Sequence, residues 1–418
     1  MERVDTLVVG GGQAGVAMSE HLGQQGIEHL VLERGRIAER WRTGRWDSLV
    51  ANGPAWHDRF PNRKFAGDGE GFPAKDEVAE YFADYARQIA APLRTGVEVT
   101  RVTRIPGSDR FRAETSAGVI EARNVVAATG PFQRPLIPPL VPKSEGFAQL
   151  HSAAYRNPDQ LAEGAVLVVG AGSSGVQIAE ELMQAGRKVY LAVGPHGRPP
   201  RTYRGRDYCW WLGVLGKWDL DTPAPGTEHV TIAVSGADGG KTIEFRALAH
   251  RGMTLLGRAE GYADGTMRFA PDLRDNILAG DANYLSVLDE ADAWVIRNGA
   301  DLPPEPEARI LPPDPACVTE PILSLDLKAA GVTTILWATG YGFDFGWLQV
   351  DTFDAQGRPL HSRGVSREPG VYFVGLPWQT RRGSSFIWGV WHDARFIADQ
   401  IAIQRAYRAY DAEARARG

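Results

Sequence analysis

The stretch TLVVGGGQAGVAMSEHLGQQGIEHLVLE, residues 6–33, decides the fold. Thr6 to Val9 is a short β-branched apolar run, the turn GGGQAG closes it, Val16 to Gln25 has helical character, and Val31 to Leu32 gives a second strand ending on Glu33. This order is the signature of a parallel α/β unit. Gly10, Gly12 and Gly15 occupy the G-x-G-x-x-G positions, which permit the tight turn, the approach of backbone to a pyrophosphate, and close helix packing. Glu33 stands where a carboxylate can accept both hydroxyls of an adenosine ribose. In a chain with 48 glycines the pattern alone reads equally as a plain turn, and Glu33 as a solvated charge. The flanking strand and helix favour the dinucleotide reading.

The same device returns. Val166 to Val169 leads into GAGSSG, then a helix from Val176 to Gln184 and a strand from Lys188 to Val193. Here Gly170, Gly172 and Gly175 hold the motif positions, with Ser173 and Ser174 between them. No acid follows the second strand. The chain instead reads VGPHGRPPRTYRGRD, placing Arg198, Arg201, Arg204 and Arg206 where a ribose 2′-phosphate would lie. An acid repels that phosphate and a guanidinium binds it in bidentate fashion. The first motif is therefore predicted to hold FAD and the second NADPH, with NADH as an alternative donor; a solvated basic loop is the structural alternative.

Five prolines between Pro131 and Pro142 mark a crossing between domains. The stretches VVAATG and ILWATG end apolar strands at Gly130 and Gly340, so Thr129, Gly130, Thr339 and Gly340 are expected beside the cofactors near the crossing. Val371 to Gly375 reads as a further strand and Phe386 to Arg408 as a terminal helix. The expected fold class is α/β with two dinucleotide-binding domains. Residues 1–142 and 336–418 form the FAD domain, and residues 143–335 form an inserted NADPH domain. Within it, about 217–321 carries turns at Asp238-Gly239-Gly240 and Asp264-Gly265 and a helix from Tyr284 to Arg297, but no motif with an assigned place.

The bulk numbers agree with that division. A length of 418 residues suits two cores, and 43% hydrophobic against 23% charged residues leaves little room for a long disordered region. The longest apolar runs, such as Ala165 to Gly170, are strand-sized, so no membrane span is expected. A net charge of −5 without a long basic block argues against a nucleic-acid partner. Cys209 and Cys317 are the two cysteines, with neither CxxC nor zinc-ligand spacing, which excludes a disulfide scaffold and a dithiol redox centre. No metal site is expected. The start runs straight into a strand without a charged leader, and the cytosol is the expected compartment. Two dinucleotide sites imply a hydride donor facing a hydride acceptor. Without a cysteine pair, electrons must leave to oxygen or to a protein acceptor.

The ordered set GGGQAG, Glu33, Trp41, WDSLVANGPAWHDRFP, FPAKDEVAEYFADYA, VVAATGPFQRP, HSAAY, VVGAGSSGVQIAEEL and ATGYGFDFGWL resembles the class B flavoprotein monooxygenases. These include the flavin-containing monooxygenases, the plant auxin-forming enzymes of the YUCCA type and the Baeyer–Villiger enzymes. The resemblance implies that reduced flavin captures molecular oxygen as a hydroperoxide, shielded by bound NADP⁺ until a small organic substrate arrives. Asn52, in ANGP, matches the family's active-site asparagine; an Asn-Gly turn is the structural alternative. Trp41 is expected along the FAD. The family signature F-x-G-x-x-x-H-x-x-x-(Y/F) is half kept, with His151 and Tyr155 in place but Glu145 and Phe147 where phenylalanine and glycine belong. Tyr155, rather than tryptophan, leans towards heteroatom oxygenation.

In GLPWQTRRGSSFIWGVWHDA, Ser384 or Ser385 is the expected N-cap of the last helix, whose positive end the resemblance aims at the flavin. Trp378, Arg381, Arg382, Trp388 and Trp391 are candidate cavity residues, one of the arginines gripping a substrate carboxylate. Three other functions stay open: an NADPH oxidase or flavin reductase, an electron-transfer reductase for a small iron–sulfur protein, and a nucleotide-sensing protein without turnover. Small-molecule substrate is the expected partner, and a homodimer is compatible with the sequence.

Overall fold

Each glycine turn launches a helix that must recross its sheet before the next strand, so both sheets are built from parallel strands buried on two faces. The computed structural model describes residues 2–223 and 231–417. In the first sheet Glu2–Val9 lies between His29–Glu33 and Gly118–Ala127, flanked further out by Leu93–Thr95 and Val371–Phe373, all parallel. A hairpin of Val99–Arg104 and Phe111–Thr115 adds antiparallel strands on Gly118–Ala127. The first-motif helix, Gln13–Gln24, packs beside the terminal helix, Ile387–Arg417. Val16 and Leu22 thus share a core with Val390, Ile397 and Ile401, residues from opposite ends of the chain. Leu7, Leu32, Phe111 and Phe373 fill the opposite face.

The second sheet runs Thr254–Leu256, Val189–Ala192, Ala165–Val169, Val332–Trp337, Ala148–His151, again parallel. Two expectations change here. The boundary placed at residue 335 falls inside Val332–Trp337, because fully buried Trp337 still pairs with Val169 and His151. The segment without an assigned place supplies the edge strand Thr254–Leu256, and its helix extends over Leu273–Asn298 to bury Leu273 and Ile277 in the domain core. The Asp264-Gly265 turn closes a hairpin, Ala259–Ala263 with Thr266–Phe269, both turn residues having positive φ.

The chain crosses between domains twice, and the crossings are tied together. Arg134–Pro135 pairs with Tyr341–Gly342. Gln133 Nε2 donates to Thr129 Oγ1 at 2.9 Å and to the Gly130 carbonyl at 2.8 Å, while its Oε1 accepts from Asp344 N at 2.6 Å. Thr339 Oγ1 donates to the Leu136 carbonyl at 2.5 Å, and buried His151 Nε2 lies 2.9 Å from the Gly340 carbonyl. Among the described residues no helix is long and apolar enough to cross a membrane.

His21 sits in the first core, 4% exposed, its ring 4.4 Å from that of Trp391. Desolvation favours the neutral imidazole and holds its pKa down to about 4. The unfolded chain therefore binds the extra proton first: the stabilisation is complete above pH ~6.5 and is lost as pH falls towards about 4, roughly 3 kcal/mol in all. Chemical denaturation between pH 7 and 4 is expected to show that slope. His21→Leu should flatten it, and an unchanged slope in the variant would assign the acid sensitivity elsewhere.

Candidate dinucleotide sites and the interdomain cleft

The two glycine motifs are alike at the level of single atoms. Gly10 and Gly170 have φ of +113° and +106°, and a Cβ on either would lie 2.5 Å from a neighbouring carbonyl oxygen, that of Ala128 or Ala338. A Cβ on Gly15 would fall 1.8 Å from the Gly10 oxygen, and one on Gly175 would fall 1.8 Å from the Gly170 oxygen. Side chains there would push each helix off its strand. Gly12 and Gly172 are the N-caps of the two helices and carry no side-chain cap, so the first-turn N–H groups remain for a ligand.

At the first motif Glu33 stands beside the glycine turn. Its Oε2 accepts from Gly11 N at 2.7 Å and its Oε1 from Gly35 N at 2.8 Å. No atom stands within 4 Å of the place a Gly12 side chain would take. Trp41 Nε1 donates to Gln13 Oε1 at 3.4 Å, and Gln13 Nε2 donates to the Ser385 carbonyl at 2.9 Å. The carboxyl-terminal segment is thereby fastened beside the first motif. Open backbone donors, a helix end and a ribose-sized carboxylate fit an adenine dinucleotide such as FAD.

The second motif has a neighbour the first lacks. Ser173 Oγ donates to the Ile232 carbonyl at 2.8 Å and accepts from Val234 N at 3.3 Å, so Ile232–Val234 runs alongside the turn, while Ser174 is half-buried. The adjoining residues 224–230 lie outside the described residues. Beyond Ala192 the strand end offers Val193, Gly194 and Pro195, with no acid among them.

Three of the four arginines expected to meet a 2′-phosphate are committed elsewhere, and for these that expectation is corrected. Arg198, 2% exposed, donates to Asp281 Oδ1 at 2.7 Å and lies over the Tyr284 ring at 4.5 Å. Arg201, also 2% exposed, donates to Asp207 Oδ1 at 2.5 Å and to the Asn52 carbonyl at 2.6 Å. Arg204 donates to Asp292 Oδ1 at 2.6 Å and to the Leu302 carbonyl at 2.9 Å. Each guanidinium answers an acid inside the protein, since a buried cation without one is prohibitively costly. Arg206 is exposed, its guanidinium 5.5 Å from the Trp210 ring.

Asn52 belongs to the first domain and is held by the second. Gln177 Nε2, on the second-motif helix Ser173–Gln184, donates to Asn52 Oδ1 at 2.9 Å, and Arg201 takes its carbonyl. One turn along, Glu181 accepts from Ser48 Oγ at 2.5 Å and from Tyr155 OH at 2.7 Å. Burial, and then that bond, push the Tyr155 phenol well above its ordinary pKa, leaving it a neutral donor.

Comparison with known proteins agrees with this architecture. Residues 7–204 match the family model described as pyridine nucleotide-disulphide oxidoreductase. The chain is 34% identical over 402 residues to an uncharacterized CzcO-like oxidoreductase of Geobacillus kaustophilus, covering 95% of this chain and 98% of that one. Over 191 residues it is 31% identical to the indole-3-pyruvate monooxygenase YUCCA1 of Oryza sativa, covering 45% of this chain and 47% of the relative. The solved flavin-containing monooxygenase of Stenotrophomonas maltophilia superposes with a TM-score of 0.66 at 21% identity, across 97% of this chain and 99% of that one. The chain belongs to the family of the CzcO-like oxidoreductases. It is an oxidoreductase.

The carboxyl-terminal segment of this oxidoreductase differs from expectation in three ways. Ser384 Oγ accepts from Thr380 N at 3.0 Å and Arg381 N at 3.1 Å, so it caps the 3₁₀ turn Arg382–Ser385. Extended Phe386 separates that turn from the terminal helix, and Ser385 contributes its carbonyl to Gln13, so neither serine is the N-cap. Trp391 packs against Phe60 at 5.0 Å in the first core, and the hollow it lines with His21, Asn62 and Asp399 is not shared by Trp378, Arg381, Arg382 or Trp388. Arg381 is neutralised by Asp219, whereas Arg382 has a neutral partner among the described residues, Tyr208 OH at 3.3 Å. Trp378, at φ +54°, accepts through its carbonyl from Thr222 Oγ1.

Trp388 joins an aromatic cluster that sequence reading did not assemble. Its ring lies 5.8 Å from both His57 and Trp218, His57 stacks on Trp218 at 5.1 Å, and Trp56 stands edge-on to His57 at 5.4 Å. His57 Nδ1 pairs with Asp58 Oδ1 at 2.8 Å, and Asp58 Oδ2 accepts from Gly53 N at 3.1 Å, which anchors the loop after Asn52. The run AWHD after ANGP was the available signal.

Arg204→Ala is expected to leave NADPH saturation within about twofold of the unsubstituted enzyme. Arg198→Ala should lower the denaturation midpoint by the equivalent of about 1–3 kcal/mol, because buried Asp281 then keeps Arg246 alone as its counter-charge. A tenfold rise in the Arg204→Ala KM would instead return that guanidinium to the phosphate.

Proposed function

We propose that this chain is an FAD- and NAD(P)H-dependent monooxygenase that transfers one atom of molecular oxygen to a soft heteroatom of a small organic substrate. The observation that carries the reading is that the second of two matching glycine motifs opens a helix bonded to Asn52 of the other domain, in a protein whose cysteines cannot serve as an electron outlet. Cys209 is buried, its thiol pushed well above the ordinary pKa by desolvation, and Cys317 is free as well. Bound flavin supplies hydride acceptance from the nicotinamide and activation of oxygen.

The protein's own part is to bind, orient and keep dry. The first-turn N–H groups after Gly12 would take the flavin pyrophosphate and Glu33 its ribose, with Gly10 and Gly15 keeping strand and helix close. Gly170, Gly172, Ser173, Ser174 and Gly175 would do the same for the nicotinamide dinucleotide. The strand end there carries no acid to repel a 2′-phosphate, while Arg198, Arg201 and Arg204 are held by internal acids and exposed Arg206 is left of the four expected guanidiniums, which supports use of NADPH and NADH alike. Asn52 keeps its Nδ2 as a hydrogen-bond donor for the reacting oxygen, and Trp56, Trp218 and Trp388 limit water around it. Arg382, beside Tyr208 and this cluster, is the arginine placed to meet an acidic group on an aromatic substrate.

Purified protein should be yellow and should consume oxygen when given NADPH or NADH. A screen of amines, sulfides, ketones and aromatic oxo-acids under labelled oxygen is expected to yield one product class carrying a single labelled atom. Hydrogen peroxide equal to coenzyme consumed with every substrate class would instead favour the oxidase reading. In Asn52→Ala the product formed per coenzyme oxidised should fall by about tenfold or more.

A further inference from the structure

The helix Ser173–Gln184 serves both halves of the cleft. Its amino end carries the second glycine motif, and one turn further Gln177 reaches into the other domain. Gln177 is 8% exposed, and its Nε2 donates both to Asn52 Oδ1 at 2.9 Å and to the Val234 carbonyl at 2.7 Å. Glu181, four residues on and so on the same helix face, receives Ser48 Oγ from the first domain. Arg201 fixes the backbone at the same place, its Nη1 on the Asn52 carbonyl, its Nη2 on Asp207, and its guanidinium 5.0 Å from the Phe72 ring.

An asparagine amide has one accepting end and one donating end, and the two orientations have the same shape. A donor aimed at one end decides between them. With Gln177 bonded to Oδ1, the Nδ2 of Asn52 has no acceptor among the described residues and is the group left to act in the cleft. Gln177 is itself oriented by the Val234 carbonyl, which only an N–H can satisfy.

We infer that Gln177 is a positioning residue that selects the donating face of Asn52, with Arg201 holding the asparagine's backbone, so that the helix receiving the nicotinamide coenzyme also sets the polarity of the active-site amide. The inference rests on the role given to Asn52 in the proposed reaction. It also gives Arg201, which is buried against Asp207, a task at the domain junction.

The test uses full-length flavin-loaded protein and reverses polarity without breaking the tie. In Gln177→Glu the new carboxylate only accepts, so Asn52 is expected to turn its Nδ2 towards it. Product per coenzyme oxidised should then fall about as far as in Asn52→Ala, roughly tenfold, with little change in coenzyme KM. Hydrogen exchange of the peptide spanning residues 48–58, measured without coenzyme, should stay protected in Gln177→Glu and should speed up by about tenfold in Gln177→Leu and Arg201→Ala. Normal coupling in Gln177→Glu beside an uncoupled Asn52→Ala overturns the inference and spares the reading of Asn52. Normal coupling in Asn52→Ala overturns both. If Gln177→Glu does not fold, Gln177→Leu decides: unchanged exchange and unchanged coupling there refute the inference, and faster exchange with weakened coupling supports it.

Discussion

Two carbonyl oxygens, those of Gly10 and Gly170, set the geometry on which the rest of the molecule depends. Each lies where the first carbon of a side chain at Gly15 or Gly175 would have to be. Strand and helix therefore approach more closely than any other residue allows, and the unsatisfied N–H groups of each helix are delivered to the carboxyl end of its sheet. Because this happens in both domains, two anion-seeking helix ends are available in one chain. Two copies of a local constraint thus give one molecule two equivalent helix ends.

The joint between the domains is polar where a simple hydrophobic interface would have sufficed. Gln177, Glu181 and Arg201 on one side engage Ser48 and Asn52 on the other through directed bonds. Buried hydrogen bonds and ion pairs add little net stability, but their angular demands reject misaligned arrangements. Here they fix orientation at the residue the resemblance singles out, and Tyr155, half of a broken signature, orients Glu181 within the same set.

What the sequence made legible was whatever repeats or punctuates locally. The glycine motifs, the strands before them, Glu33 and the proline-rich crossing are all read within a few residues. The arginines show the limit. From the sequence alone Arg198 and Arg204 look free, because their counter-charges Asp281 and Asp292 lie 83 and 88 positions away. Thr254–Leu256 is too short to carry a period, and its place is decided by pairing with Val189–Ala192. Trp388 and Trp391 are three residues apart on one helix, yet one meets the aromatic cluster and the other the core; composition cannot separate them.

The shared core of the helices Gln13–Gln24 and Ile387–Arg417 has a consequence for biosynthesis. The second domain is contiguous, its sheet complete once Trp337 has been made. The first domain begins the chain but cannot cover Val16 and Leu22 until the last helix emerges. The order of translation is thus the reverse of the order of completion, and the earlier-made half must wait with apolar surface uncovered while the later-made half matures.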